Sequence, residues 1–155
     1  MTETVLNPKP IAKHLHSAFC RDASRRELLS IAAQGIQDAG PPYTSVYMYM
    51  LNDTQDNLVL EAFVGRETEH TQIPIGRGLC GLAVRERQDL NIPDVNADTS
   101  YLACNLETKS ELIVLIRRHN EILGQIDIDS DVPAGFNAAE QDAVKDVADA
   151  LAALL

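Results

Sequence analysis

Hydrophobic and polar positions follow a helical period near the amino terminus. Apolar residues recur every four positions over residues 11–20, which predicts a short helix with one buried face. Ser24 and Glu27 stand three apart, as in a capping box, and predict the start of a second helix. We therefore expect the segment 11–40 to be helical.

The period changes to that of extended chain over residues 44–130. Runs of β-branched, aromatic and aliphatic residues bounded by turn-forming residues predict strands at 44–51, 58–64, 71–75, 89–92, 110–117 and 122–130. Pro74 places the third of these at an edge or in an irregular position. Two segments differ: residues 79–87 resemble a helix of about two turns, and residues 93–109 form a loop long enough to suggest a function.

The final segment, residues 137–155, returns to the helical period. Asn137 is the expected N-cap, with Glu140 at the third helical position and one apolar stripe beyond it. Two helices, six strands with a short helix among them, and a closing helix predict an α+β domain with a mostly antiparallel sheet. We expect residues 1–155 to form a single domain.

Composition excludes some classes of partner but says little about the fold. The formal net charge is −10 at pH 7, with scattered Lys and Arg, so a nucleic-acid partner is not expected. No apolar run has the length of a membrane span, and the amino terminus lacks the pattern of a secretion signal. We expect a cytoplasmic protein without a membrane partner, whose three cysteines are thiols.

The segment Gly76-Arg77-Gly78-Leu79-Cys80-Gly81 matches the Gly-x-Gly-x-x-Gly dinucleotide pattern. Its context does not, because the preceding strand contains a proline and no βαβ unit surrounds it. We interpret the glycines as a tight turn that places Cys80 near a helix start, where the helix dipole would favour a thiolate.

Three further residues suggest a pocket. Asp127 and Asp129 alternate with isoleucines, so both project from one face of a strand, and Glu111 begins the neighbouring strand. Such a face is usually solvated, but a covering loop at 93–109 would turn it into an acidic pocket suited to an ammonium group. Cys104 in that loop is either a reactive thiol or a small apolar residue that holds the loop down.

Histidine positions give weaker signals. His16 and Cys20 are four apart on a predicted helix and His14 is nearby, but no fourth ligand stands at a recognisable spacing. We therefore expect no metal site and no cofactor. His70 and His119 are expected in exposed turns.

Several segments together resemble the GAF domain. They are the glycine segment with Cys80, the turn at 92–95, and residues 107–112 and 123–130, and the likeness covers nearly the whole chain. The resemblance implies a GAF-like sheet of about six strands, with the N- and C-terminal helices on one face and a ligand pocket under loops on the other.

Within that superfamily the chain resembles the free methionine-(R)-sulfoxide reductases. The residues that match the family's cysteines, glutamate and Asp-x-Asp pair are Cys80, Cys104, Glu111, Asp127 and Asp129. The resemblance implies that Cys104 attacks the sulfoxide sulfur while a carboxylic acid protonates the departing oxygen. It also implies that the three acidic residues hold the substrate ammonium, and that a thioredoxin-like protein reduces the resulting disulfide.

The sequence departs from that family at three positions. His70 stands where the family's usual resolving cysteine lies, so Cys80 would resolve Cys104. The family's tryptophan on the first strand is missing, because the chain has no tryptophan. Tyr49 is the nearby aromatic residue that would contact the substrate methyl group. The loop reads Tyr101-Leu102-Ala103-Cys104 in place of His-Ile-Ala-Cys. The alternative is a non-catalytic GAF module that binds a small molecule, acts in signal transduction and forms a homodimer through its terminal helices.

Overall fold

The computed structural model describes residues 4–98 and 107–155. Within them the helices are α1 (Pro8–Cys20), α2 (Arg25–Gln37), α3 (Gly78–Glu86) and α4 (Ala138–Ala152). The strands are β1 (Ser45–Leu51), β2 (Asn57–Val64), β3 (Gln72–Pro74), β4 (Leu90–Ile92), β5 (Ser110–Arg118) and β6 (Glu121–Ser130). The loop predicted at 93–109 contains a short 3-10 helix, Val95–Ala97.

Both predicted N-caps are present. The Ser24 side chain accepts a hydrogen bond from the backbone N–H of Glu27 at the start of α2. The Asn137 side chain accepts one from the N–H of Glu140 at the start of α4. Each bond satisfies a backbone donor that the first helical turn leaves without an intrahelical partner, which is why these two helices begin where the sequence indicates.

The strands form one sheet in the order β3-β2-β1-β6-β5-β4, and every neighbouring pair is antiparallel. Pro74 belongs to β3 at the edge of that sheet, as its missing N–H requires. The α+β prediction, with an antiparallel sheet of six strands, is confirmed.

The sheet separates two apolar clusters. Helices α1, α2 and α4 cover one face, where Val46, Met48, Ile126 and Ile128 are buried beneath them. Helix α3 covers part of the other face, and this second cluster includes Tyr47. The terminal helices therefore share one face, as predicted, and the opposite face is left for a pocket. Among the described residues, no helix combines the length and hydrophobicity that crossing a bilayer requires.

Candidate functional site

Strand register brings the predicted acidic residues together on the face opposite the terminal helices. Glu111 of β5 pairs with Asp129 of β6, and Asp127 lies two residues earlier on the same strand. Side chains alternate along a strand, so all three project from one face while Ile126 and Ile128 project into the helical core. The predicted juxtaposition of the three carboxyl groups is what the register produces.

Burial makes this acidic face different from an ordinary solvated one. Glu111, Asp127 and Asp129 are only 4%, 3% and 4% exposed. Loss of hydration raises the pKa of Glu111 well above its usual value, and the charges of the two aspartates raise it further. Burial likewise raises the pKa of Asp127, and the pKa of Asp129 is raised by burial and by the charge of Asp127. Ionisation of all three carboxyl groups at once is therefore disfavoured.

Several acceptor atoms at the cluster lack a donor. Within residues 4–98 and 107–155, Oδ1 of Asp127, Oδ1 of Asp129 and Oε1 of Gln125 are buried without a hydrogen-bonding group that donates to them. Buried acceptors in this condition carry a desolvation cost that a proton or a cationic donor removes. The cluster is therefore arranged to receive a positively charged hydrogen-bond donor.

Cys80 lies beside the carboxyl groups, in the first turn of α3. Its Sγ donates a hydrogen bond to Oδ2 of Asp127 across 3.3 Å. The expectation of a thiolate favoured by the helix dipole is wrong. The thiol is 7% exposed, and burial raises its pKa well above the usual range, with the charges of Asp127 and Glu111 adding to that effect. Two nearby carboxylates and the loss of water outweigh the dipole of a nine-residue helix.

The glycine segment positions Cys80 as the tight turn that we predicted. Gly76 and Gly78 have φ values of +91° and +62°, which residues with a side chain rarely adopt. A Cβ atom on Gly81 would lie 2.5 Å from the carbonyl oxygen of Pro74 and 2.9 Å from the backbone nitrogen of Gly76. The chain before α3 therefore packs directly against the backbone of the helix, and this contact fixes the Cys80 thiol over β6.

Tyr49 and His70 line the same cavity as Cys80, Glu111 and Asp127. The cavity measures about 20 Å³, enough for about one water molecule or one ammonium group. Tyr49 is buried and its hydroxyl donates to the backbone carbonyl of His70 at 2.7 Å. His70 is half-buried and borders the pocket, so the prediction of an exposed turn residue is wrong, whereas His119 is exposed.

Cys104, the predicted nucleophile, lies outside the described residues. Lys109 is held beside the site, because its N–H donates to the carbonyl of Ser130 at 2.8 Å. The N–H of Val95 donates to the carbonyl of Lys109 at 3.0 Å. These bonds place the two ends of the 93–109 segment beside the end of β6.

Two polar residues at the site were not predicted. Gln125 donates from Nε2 to the backbone carbonyl of Cys80 at 3.0 Å and so ties α3 to the sheet. Its spacing of two from Asp127 was the available signal, since alternate residues share a face. Arg66 donates to both carboxylate oxygens of Asp131, at 2.6 and 2.5 Å, and its charge partly offsets the rise in the pKa of Asp129. No sequence spacing links Arg66 to strand β6.

The chain matches known proteins over most of its length. The profile of the GAF domain matches residues 24–155. The chain belongs to the GAF domain family. The family assignment accounts for the six-stranded sheet with terminal helices on one face and a pocket on the other, and it confirms the resemblance drawn from the sequence.

Individual relatives of this GAF chain include enzymes. Free methionine-R-sulfoxide reductase of Escherichia coli K12 is 36% identical over 97 residues, which are 63% of this chain and 57% of that protein. The type II free methionine-R-sulfoxide reductase of Thermoplasma acidophilum is 39% identical, with a TM-score of 0.79 over 84% of this chain and 91% of that one. The substrate complex of fRMsr from Staphylococcus aureus is 27% identical, with a TM-score of 0.82 over 99% of each chain. The chain thus spans little more than half the length of the E. coli protein.

Proposed function

We propose that the protein reduces free methionine-(R)-sulfoxide to methionine with Cys104 as nucleophile and Cys80 as resolving thiol. The observation that carries the proposal is the buried cluster of three carboxyl groups, with acceptor oxygens that lack donors, in contact with a buried thiol. It is supported by the similarity to reductases of free methionine-R-sulfoxide, one of which is nearly as long as this chain.

The acidic cluster accounts for a free amino acid as substrate. An α-ammonium group brings one positive charge and three N–H donors, and Glu111, Asp127 and Asp129 offer acceptors and negative charge in return. The 20 Å³ cavity, which Tyr49 also lines, matches the ammonium group in size. A methionine sulfoxide inside a polypeptide has a neutral amide at this position and would be excluded.

Reduction proceeds in two balanced steps. Cys104 sulfur attacks the sulfoxide sulfur and takes over its oxygen, so that methionine leaves and the thiol becomes a sulfenic acid. A protonated carboxyl group of the cluster supplies the proton to the transferred oxygen, and the proton lost by the Cys104 thiol restores that carboxyl group. The Cys80 thiol then attacks the sulfenic sulfur, which forms a disulfide and releases water. An external dithiol protein of the thioredoxin type returns two electrons and two protons.

The environment of Cys80 suits a resolving thiol better than a nucleophile. Its raised pKa keeps it protonated and unreactive while substrate binds. The hydrogen bond to Oδ2 of Asp127 provides an acceptor for the proton when Cys80 attacks. The same contacts that disfavour a thiolate in the resting protein therefore support the proposed role of Cys80 in the second step.

The proposal is tested by measuring methionine released from the free R and S sulfoxides in the presence of thioredoxin, thioredoxin reductase and NADPH. We expect turnover of the R form only. Cys104→Ser should lower the rate at least about a thousandfold, as loss of a nucleophile generally does. Cys80→Ser should release one methionine per chain without turnover.

Cys20→Ser is the matched control, because Cys20 is exposed on α1, a helix of the opposite face of the sheet. It should retain full activity. A wild-type protein that is inert with thioredoxin and with small dithiols would overturn the proposal. If such a protein still binds methionine sulfoxide, the second candidate, a GAF module that binds a small molecule through the same acidic cluster, is favoured.

A further inference from the structure

The site contains ligand atoms of the kinds that a zinc ion takes. Sγ of Cys80 and one carboxylate oxygen each of Glu111 and Asp127 lie within 4.8 Å of one another. All three residues are more than nine-tenths buried. Oδ1 of Asp127 is also without a donor among the described residues, so the cluster holds an unused acceptor in addition to the three ligand atoms.

The spacing fits tetrahedral coordination. With a Zn–S bond of about 2.3 Å and a Zn–O bond of about 2.0 Å, two neighbouring ligand atoms on a tetrahedron stand roughly 3.5 Å apart. The distance from Sγ of Cys80 to Oδ2 of Asp127 is 3.3 Å. A carboxylate oxygen of Glu111, within 4.8 Å of the thiol sulfur and of a carboxylate oxygen of Asp127, is the third ligand atom.

Charge favours a divalent cation over a monovalent one. A thiolate and two carboxylates together carry three negative charges, and Asp129 adds a fourth acidic group at the same site. A dication offsets two of these charges, whereas an ammonium group offsets one. The sulfur ligand selects among dications, because thiolate prefers zinc while magnesium and calcium prefer oxygen alone.

We propose that the reduced protein binds one zinc ion through Cys80, Glu111 and Asp127, with water in the fourth position. Binding displaces to solvent the proton of the Cys80 thiol and any proton that the carboxyl groups of Glu111 and Asp127 hold. This goes beyond the proposed reductase activity, and it requires no methionine sulfoxide and no Cys104. If the reductase proposal also holds, zinc and the substrate ammonium compete for the same carboxylates, and zinc inhibits the enzyme.

The experiment uses the double variant Cys20→Ser/Cys104→Ser, in which Cys80 is the sole cysteine of the chain. Titration with Co²⁺ should produce a thiolate-to-metal charge-transfer band, and Zn²⁺ should abolish it at one equivalent. Calorimetry should show one zinc ion bound with proton release, and no binding of Mg²⁺ or Ca²⁺. Adding Glu111→Gln to this double variant should weaken zinc at least about tenfold.

The competing location is the pair His16 and Cys20, where Nε2 and Sγ are 3.7 Å apart on α1. Zinc binding that disappears in Cys20→Ser alone would place the ion there and overturn the proposal. So would a sole-cysteine protein that shows no charge-transfer band, or one whose zinc affinity is unchanged by Glu111→Gln. Because the sole-cysteine protein lacks the proposed nucleophile, these outcomes are independent of whether the chain is a reductase.

Discussion

Three carboxyl groups lose their protons less readily in the folded protein than they do in water. They belong to Glu111, Asp127 and Asp129. Burial is the first cause for each, and the charges of neighbouring aspartates raise the pKa of Glu111 and of Asp129 further. Such groups destabilise the ligand-free protein when they ionise, and that cost is relieved when a cation binds. The features that support ligand binding therefore predict how stability depends on pH.

We expect the free energy of unfolding to fall as the pH rises above about 4, the ordinary pKa of these side chains. The unfolded chain releases these protons above about pH 4, whereas the folded chain retains them until its raised pKa values are passed. Folding thus binds protons, and stability is lost as the pH increases through those values. Asp131, whose pKa is lowered by its hydrogen bonds with Arg66, acts in the opposite direction and loses its contribution as the pH falls.

Glu111→Gln tests this expectation against Glu121→Gln, which removes the same charge from an exposed position. Urea unfolding at several pH values should show a flatter pH profile for Glu111→Gln and, at pH 8.5, a gain of about 1 to 3 kcal/mol, because the variant no longer places an ionisable group in a buried position. Glu121→Gln should follow the wild type. A wild-type stability that rises steadily with pH over this range would contradict the assignment.

Helix α3 is the element that determines where the Cys80 thiol lies. Its start is packed so closely on the preceding chain that Gly81 has no room for a side chain. We predict that Gly81→Ala destabilises the fold by about 1 to 3 kcal/mol, because backbone atoms must move apart. It should also slow disulfide formation between Cys80 and Cys104.

The control is Glu86→Ala, an exposed position on the same helix. Thermal unfolding and the rate of the resolving step should both be close to wild type in this variant. Equal stability of Gly81→Ala and Glu86→Ala would mean that the backbone contact at Gly81 leaves room for a side chain.

Helix α4 holds the amino-terminal segment through a single buried carboxylate. Glu140 accepts hydrogen bonds from the N–H groups of Val5 and Leu6, at 2.8 and 3.1 Å, and from the hydroxyl of Tyr43 at 2.7 Å. Burial and this carboxylate both raise the pKa of Tyr43. Glu140 thus joins the segment before α1 to the first turn of α4.

Glu140→Ala should lower the free energy of unfolding by at least about 2 kcal/mol, because it leaves three donors without their acceptor. Asp146→Ala, exposed on the same helix, should change it by no more than about 0.5 kcal/mol. Denaturant unfolding measures both. Similar losses in the two variants would show that the buried carboxylate is not the connection.

The elements could be predicted from local patterns, and their environment could not. Caps such as Ser24 and Asn137 depend on residues three apart, which the sequence displays directly. The alternation around Asp127 identified the face correctly but not its burial, because burial depends on α3, which packs on this face from a distant part of the chain. For the same reason the sequence favoured a thiolate at Cys80, whereas the distant residues Asp127 and Glu111 determine the opposite shift.

At the scale of the whole molecule, the larger hydrophobic core and the candidate site lie on opposite faces of the sheet. The larger apolar cluster lies between the sheet and α1, α2 and α4, and the acidic cavity lies on the other side. Substitutions in the terminal helices should therefore change the free energy of unfolding more than the rate of the proposed reaction. That the chain acts as one domain, is cytoplasmic and forms a homodimer stays a prediction.

The most direct test of the reductase account is a single-turnover experiment without reductant. Fully reduced protein is mixed with excess free methionine-(R)-sulfoxide, released methionine is counted, and the disulfides are mapped by peptide mass spectrometry. The account predicts one methionine per chain and a disulfide between Cys80 and Cys104, with Cys20 still a thiol. No methionine, or methionine released while Cys80 stays reduced, would contradict it.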